Sequence, residues 1–257
     1  MAGKDAPVGF FDSGLGGISV LLEARKLLPS ENYIYYGDSA NAPYGIKSPE
    51  RITELSEAAV EKLLSMGAKA VVIACNTATG EAVNYLRQRF EGIPIVGTEP
   101  AIKPAVSAFP GGRVLVMATP QCLESRRVRE LAVRFENEAE LVLLPCPGLM
   151  EFVERGEFTG ERLNVHLKRL MEPVSDKPFD AVVLGCTHYP FLRESIARFS
   201  GSAAIIDGNL GISRQLMRRL DEAGLLREEG KEGSVRIENS SGDPVLLERS
   251  RIMLGLK

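Results

Sequence analysis

The sequence predicts an α/β protein made of two similar domains, each a mostly parallel sheet flanked by helices, with a cleft between them. Two observations support this fold class. Short apolar runs alternate with helical patterns along all 257 residues, which is the rhythm of βαβ units. The apolar runs also lack a polar residue at every second position, as expected for parallel strands that helices cover on both faces.

Seven apolar runs are predicted to be strands: 8–11, 33–36, 70–74, 113–117, 140–144, 181–184 and 203–206. Between the second and third runs, Ser48 is predicted to cap a helix that Pro49 begins. Apolar residues then recur at spacings of three and four and line one helical face, at Ile52, Leu55, Ala59 and Leu63. Gly67 is placed to end this helix in a left-handed turn.

A domain boundary is predicted near residue 98, within the glycine- and proline-rich segment 92–104. The first domain would comprise residues 1–98 and 208–257, and the second residues 99–207. The tail from about residue 226 is charged and rich in glycine, and a helical pattern returns at Pro244. We expect this tail to pack back on the first domain.

Composition excludes several classes of protein. The net charge of −3 provides no basic surface for nucleic acid or an anionic membrane. The apolar run 8–11 is too short for a signal-peptide core, and no stretch approaches the roughly 18 apolar residues of a membrane span. We therefore expect a cytoplasmic protein without a nucleic-acid or membrane partner.

The four cysteines are not spaced as zinc ligands, and a disulfide framework is not expected in a cytoplasmic chain. Two of them end similar segments, Val-Val-Ile-Ala-Cys-Asn-Thr at 71–77 and Val-Val-Leu-Gly-Cys-Thr-His at 182–188. Free cysteine is often simply a buried apolar residue. Polar residues follow both Cys75 and Cys186. They indicate reactive thiols at the carboxyl ends of strands, where α/β sheets bind ligands. Cys122 and Cys146 lack this context and are interpreted as structural.

Two further segments follow predicted strands. The glycine-rich turn 12–17 at a helix N-terminus is typical of an anion site, but it matches neither nucleotide-binding fingerprint, and Asp12 would repel phosphate. The segment 37–45 is either an ordinary turn-rich loop or a part of the site in which backbone amides and Tyr44 hold a carboxylate. Similarly, His188 is either a structural hydrogen-bonding residue or a group that polarises Cys186.

Together these segments closely resemble the cofactor-independent aspartate/glutamate racemase family. The matching stretches cover most of the chain from Val8 to Asp207 and are Phe-Asp-Ser-Gly-Leu-Gly-Gly at 11–17, Pro-Tyr-Gly at 43–45, Ala-Cys-Asn-Thr-Ala at 74–78, Ala-Thr-Pro at 118–120 and Gly-Cys-Thr-His-Tyr-Pro at 185–190. The Asp-Ser turn and the Cys-Thr-His triplet resemble the members that act on glutamate, rather than the aspartate or hydantoin racemases or the arylmalonate decarboxylases.

The resemblance implies a site between the two domains that interconverts L- and D-glutamate and supplies D-glutamate for peptidoglycan. It implies five catalytic residues: Cys75, Cys186, Asp12, His188 and Glu154. It implies substrate contacts from Asp12, Ser13, Tyr44, Gly45, Asn76, Thr77, Thr119, Thr187 and His188. Glutamate would be the only partner besides a second copy in a homodimer, and neither a metal nor another cofactor is expected.

Chemistry explains why two cysteines suit this reaction. Racemisation removes the Cα proton on one face and returns one on the other, and two bases avoid moving a single base around the carbon. The ordinary pKa of cysteine, about 8.5, lets either protonation state be reached near neutrality. We expect Asp12 to assist Cys75 and His188 to assist Cys186.

One position departs from the family pattern, because Cys122 stands where Ala-Thr-x-x-Thr commonly has its second threonine. A thiol donates a weaker hydrogen bond than a hydroxyl, which puts a substrate contact there in doubt. The alternatives to the function implied by the resemblance are a racemase of another acidic amino acid such as aspartate, a non-enzymatic two-domain ligand-binding protein and a nucleotide-binding protein.

Overall fold

The computed structural model of the chain describes residues 3–256, which form two compact units. The first unit contains the described residues up to Thr98 together with those from Asn209 onward, and the second runs from Glu99 to Gly208. Each unit is a parallel sheet with helices packed against it, so the predicted α/β class is confirmed.

The strands in chain order are β1 (Val8–Asp12), β2 (Tyr33–Gly37), β3 (Ala70–Ile73), β4 (Ile95–Gly97), β5 (Arg113–Ala118), β6 (Glu140–Pro145), β7 (Ala181–Leu184), β8 (Ala204–Ile206) and β9 (Val235–Asn239). The helices are α1 (Ile18–Leu27), α2 (Pro49–Ser65), α3 (Asn76–Arg89), α4 (Ile102–Ala108), α5 (Pro120–Glu124), α6 (Arg126–Phe135), α7 (Leu149–Glu154), α8 (Glu161–Met171), α9 (Arg193–Ala197), α10 (Asn209–Glu222) and α11 (Pro244–Met253). Short 3₁₀ segments include Ser39–Asn41, Tyr44–Ile46 and Tyr189–Leu192.

The sheet of the first unit has the strand order β4-β3-β1-β2-β9, and every pairing in it is parallel. The sheet of the second unit has the order β6-β5-β7-β8 and is also parallel throughout. Parallel strands align their carboxyl ends at one edge of a sheet. The residues that follow β1, β2 and β3 therefore lie near one another, and so do those that follow β5 and β7.

The helix predicted from its caps is confirmed as α2. The hydroxyl of Ser48 accepts a hydrogen bond from the Arg51 amide, and Pro49 occupies the first turn. The four apolar residues expected to line one face are buried, and Gly67 has a left-handed φ of 89°. The local sequence therefore fixes both ends of this helix, and its apolar face fixes how it packs.

The sequence prediction missed β4 and β9. It also made two strands one residue too long, because β3 ends before Ala74 and β8 begins after Ala203. β4 is only three residues long. β9 is an edge strand whose sequence alternates apolar and charged residues because only part of it is buried. Its charges led to the interpretation of this segment as part of a charged tail.

Among residues 3–256, no helix has both the length and the apolar character needed to cross a membrane.

Candidate active site

Cys75 lies where β3 meets α3, and it serves as the N-cap of that helix. Its sulfur accepts a hydrogen bond from the Ala78 amide at 3.4 Å, and the Ser13 hydroxyl lies 3.5 Å from it. The side chain is buried, with 6% of the residue exposed. The sulfur thus lies at the N-terminus of α3, the end of the helix dipole that stabilises negative charge.

Asp12 is the last residue of β1, and Ser13 begins the turn that leads to α1. Asp12 is fully buried, and its Oδ1 accepts a hydrogen bond from the Gly14 amide at 2.8 Å. A Cβ at Gly17 would lie 2.7 Å from that of Asp12 and 2.8 Å from that of Ala74. Only glycine fits there, because the turn packs directly against the residue before Cys75.

Tyr44 is buried in the loop after β2 and belongs to the same core cluster as Cys75. Its hydroxyl donates a 2.7 Å hydrogen bond to Oδ2 of Asp38, which is also buried. Burial, together with the hydrogen bond and charge of Asp38 and the nearby Cys75, raises the pKa of Tyr44. The Tyr44 hydroxyl therefore keeps its proton and donates it in a hydrogen bond to Asp38. The backbone amides of Tyr44 and Gly45 remain the candidates for holding a carboxylate.

The sequence interpretation did not single out Asp38 as a site residue. The sequence offers one indication of such a role, since Asp38 is a carboxylate directly after β2. Asn41 donates hydrogen bonds to both Asp38 oxygens, at 3.0 and 3.1 Å. Asp38 therefore joins the start of this loop to Tyr44.

Asn76 and Thr77 form the first turn of α3, directly after Cys75. Thr77 is buried, whereas Asn76 is partly exposed. Oδ1 of Asn76 is nevertheless buried and has no hydrogen-bond partner among the described residues. A buried acceptor without a donor costs about 1–3 kcal/mol, so this atom is suited to a ligand that brings a donor.

Cys186 follows β7 and lies in a different local structure from Cys75. The next element is the 3₁₀ segment Tyr189–Leu192 rather than an α-helix. The Cys186 sulfur lies 3.5 Å from Nδ1 of His188, and Nε2 of His188 lies 2.7 Å from Oε1 of Glu154. Glu154 at the end of α7 therefore contacts His188, which places a Glu–His–Cys chain in the second unit.

His188 is deeply buried, with 3% of the residue exposed. Burial would lower its pKa, but the charge and hydrogen bond of Cys186, followed by those of Glu154, outweigh burial and raise the pKa of His188 well above its usual value. These contacts favour the imidazolium form of His188, in which Nδ1–H can donate to Cys186 and Nε2–H to Glu154. The His188 ring therefore lies between the Cys186 sulfur and the Glu154 carboxylate.

The second unit also contains Thr119, Thr187, Cys122 and Cys146. The Thr119 hydroxyl caps α5 by accepting from the Cys122 amide at 3.3 Å. The Cys122 thiol donates to the carbonyl of Gly185 at 3.8 Å, so it contacts the residue before Cys186. Thr187 is buried directly after Cys186.

Burial, and then the charge of Cys186, raises the pKa of Cys146 to about 12, which keeps that thiol protonated.

The predicted site residues thus form two groups, one in each unit. The first unit holds Asp12, Ser13, Tyr44, Gly45, Cys75, Asn76 and Thr77, and the second holds Thr119, Glu154, Cys186, Thr187 and His188. Within the described residues there is no group of three or more histidine, cysteine, aspartate or glutamate side chains that could hold a metal ion.

Comparisons with known proteins support the same interpretation. Residues 19–211 match the family model described as Asp/Glu/hydantoin racemase. A glutamate racemase from Clostridium perfringens is 47% identical over 255 residues, which cover 99% of this chain and 98% of that one.

Solved structures of glutamate racemases are also similar to this chain. A Francisella tularensis glutamate racemase in complex with D-glutamate has a TM-score of 0.85 at 29% identity, covering 99% of this chain and 95% of that chain. An Escherichia coli glutamate racemase in complex with L-glutamate and the activator UDP-MurNAc-Ala has a TM-score of 0.86 at 32% identity, covering 97% and 94%. The resemblance predicted from the sequence motifs is confirmed, and the chain belongs to the Asp/Glu/hydantoin racemase family.

Proposed function

We propose that the chain is an amino-acid racemase that interconverts L- and D-glutamate and so supplies D-glutamate for peptidoglycan. The observation that carries this proposal is the pair of buried thiols at the carboxyl ends of β3 and β7, each with its own polar partner. The relatives described above are glutamate racemases, and their similarity extends over nearly the whole chain.

In the proposed mechanism, Cys75 and Cys186 act on opposite faces of the substrate Cα. One cysteine, as thiolate, removes the α-proton, and the other, as thiol, donates a proton to the opposite face. The roles are exchanged for the other enantiomer. The two sulfurs have different neighbours, the α3 N-terminus for Cys75 and His188 for Cys186.

Fixed hydrogen-bond donors must stabilise the developing carbanion and its carboxylate, because the α-proton of an amino acid is a very weak acid. We assign this role to the backbone amides near Ser13, Gly45 and Thr77 and to the Thr187 hydroxyl. The unsatisfied Oδ1 of Asn76 is suited to the substrate ammonium, which donates hydrogen bonds. Asp12 is proposed to assist Cys75, and Glu154 to assist Cys186 through His188.

Solvent exchange tests the proposed reaction directly. With L- or D-glutamate in deuterated water, we expect solvent deuterium at Cα of the inverted product from both starting enantiomers. Proton NMR and circular dichroism follow the exchange and the inversion, with aspartate as the comparison substrate. Racemisation of aspartate but not glutamate would show that the family assignment holds and that the proposed substrate is wrong.

Replacing Glu154 with glutamine is expected to shift the alkaline limb of the pH profile. The Glu154 charge helps to raise the pKa of His188, and a glutamine side chain there retains an acceptor without that charge. The imidazolium persists below the His188 pKa and is lost above it, so lowering that pKa moves the alkaline limb of kcat/KM to lower pH. We also expect kcat/KM at neutral pH to fall about tenfold or more, the effect of losing a charge-assisted hydrogen bond.

The matched control for this variant is Glu157→Gln, because Glu157 pairs with Arg155 rather than with His188. The pH profile of the control should coincide with that of the parent chain. An unchanged alkaline limb in Glu154→Gln would rule out the proposed action of Glu154 through His188.

We further propose that the chain works as a homodimer in the cytoplasm, as the family resemblance implies. Val245 and Ile252, seven residues apart on α11, are 58% and 66% exposed and give one helical face an apolar surface. Sedimentation of the purified protein tests the oligomeric state.

A further inference from the structure

We infer that Asn239 and Ser240 are positioning residues that hold loop 38–46, the segment between β2 and α2 that carries Tyr44 and Gly45. The inference rests on the proposed function, in which this loop contributes to substrate binding. Neither residue belongs to the predicted site, and both lie in the segment that the sequence showed only as a charged tail.

Strand register brings the two segments together. β9 pairs with β2 in parallel, and Asn239 is opposite Gly37, the last residue of β2. The Ser240 amide donates a 2.9 Å hydrogen bond to the Gly37 carbonyl. The turn that follows β9 therefore lies beside the start of loop 38–46.

Two side-chain hydrogen bonds extend beyond the end of the strand pairing. Nδ2 of Asn239 donates to the Ser39 hydroxyl at 2.8 Å, and the Ala40 amide donates to Oγ of Ser240 at 2.9 Å. Oδ1 of Asn239 accepts from the amide and the hydroxyl of Ser241, at 3.0 and 2.7 Å. These contacts orient the Asn239 amide, so that its NH₂ group faces the loop.

The hydrogen bonds that Asn239 and Ser240 make hold the first residues of loop 38–46. They fix Ser39 and Ala40, which directly follow Asp38, the residue whose carboxylate accepts a hydrogen bond from the Tyr44 hydroxyl. On the other side of Asp38, a Cβ at Gly37 would lie 2.8 Å from the Gly14 carbonyl and 3.1 Å from Nδ2 of Asn239. The β9 turn thus holds the loop on both sides of Asp38.

The loop has little regular structure of its own. Its backbone forms only the short 3₁₀ segments Ser39–Asn41 and Tyr44–Ile46, and Ile46 at its end is 80% exposed. Short 3₁₀ segments have poorer hydrogen-bond geometry than α-helices. Contacts from outside the loop are therefore needed to keep the Tyr44 and Gly45 amides in one position.

The test compares matched serine variants at the two ends of β9. Ser240→Ala removes the bond to the loop, and Ser234→Ala removes a 2.8 Å bond to Asn32 at the amino end of the same strand. We expect Ser240→Ala and Asn239→Ala each to raise KM for glutamate about three- to tenfold, the effect of one lost hydrogen bond. The value of kcat should change less, and Ser234→Ala should leave KM unchanged. Amide hydrogen exchange of residues 38–46 should become faster only in the first two variants.

A double variant separates a specific contact from general destabilisation. If Asn239 acts through Ser39, Ser39→Ala combined with Asn239→Ala raises KM no further than Asn239→Ala alone. KM values and loop exchange that match those of Ser234→Ala would overturn the inference. If the parent chain does not racemise glutamate, the proposed function is wrong, and exchange of the loop amides then decides whether the β9 turn holds the loop.

Discussion

Replacing either Cys75 or Cys186 with alanine is expected to lower kcat/KM for glutamate racemisation about 10²–10⁴-fold, the usual contribution of a general acid or base. Both variants should lose activity in both directions, since each direction needs one thiol to remove a proton and the other to return one. Circular dichroism of each enantiomer as it racemises measures the effect.

Cys146→Ala is the control for the loss of a buried thiol. Cys146 is also buried in the second unit, but its raised pKa of about 12 keeps it protonated near neutral pH. This variant should retain most of the parent activity. Near-normal activity in either Cys75→Ala or Cys186→Ala would refute the two-base mechanism.

Removing Glu31 is expected to be the most destabilising change, at about 3–5 kcal/mol, because it leaves Lys69 as a buried charge without its partner. Both side chains are almost fully buried, and Nζ of Lys69 lies 2.5 Å from Oε2 of Glu31. Oε1 of Glu31 accepts from the Arg227 amide at 2.8 Å, and Lys69 also donates to the Lys4 carbonyl. The pair thus joins both terminal segments to the strands β2 and β3.

Urea unfolding of Glu31→Ala measures this loss of stability. The control is Glu54→Ala, which removes an exposed partner of Arg51 and should cost less than about 1 kcal/mol. The double variant Glu31→Leu/Lys69→Met should be more stable than Glu31→Ala, since it leaves no unpaired buried charge. Equal losses for Glu31→Ala and Glu54→Ala would contradict the expectation.

The strands that carry the two cysteines could be predicted because they are buried on both faces and so consist of apolar residues. The α2 helix could be predicted for a similarly local reason, since Ser48, Pro49 and Gly67 mark its ends. β9 could not, because an edge strand tolerates Arg236 and Glu238, and its pairing with β2 depends on residues about two hundred positions away in the chain.

The predicted site residues came from motifs, and motifs report residue types rather than side-chain partners. The two cysteine segments look alike in sequence, yet Cys75 caps a long helix and Cys186 lies beside a histidine. The link from His188 to Glu154 joins residues of different elements, so spacing along the chain could not predict the contact. The position of Asp38 directly after β2 was visible in the sequence, but its partner was not, because the hydrogen bond from Tyr44 forms only in the folded loop.

The unequal surroundings of Cys75 and Cys186 have a thermodynamic consequence. Enantiomers have equal free energies in water, so the equilibrium constant of a racemisation is one at every pH. The ratio kcat/KM must then be the same in both directions, although a helix terminus lies beside one sulfur and a histidine beside the other. Any preference for one enantiomer can appear only as tighter binding offset by slower turnover. The net direction of the reaction in a cell is therefore set by which enantiomer is consumed, and not by the two thiols.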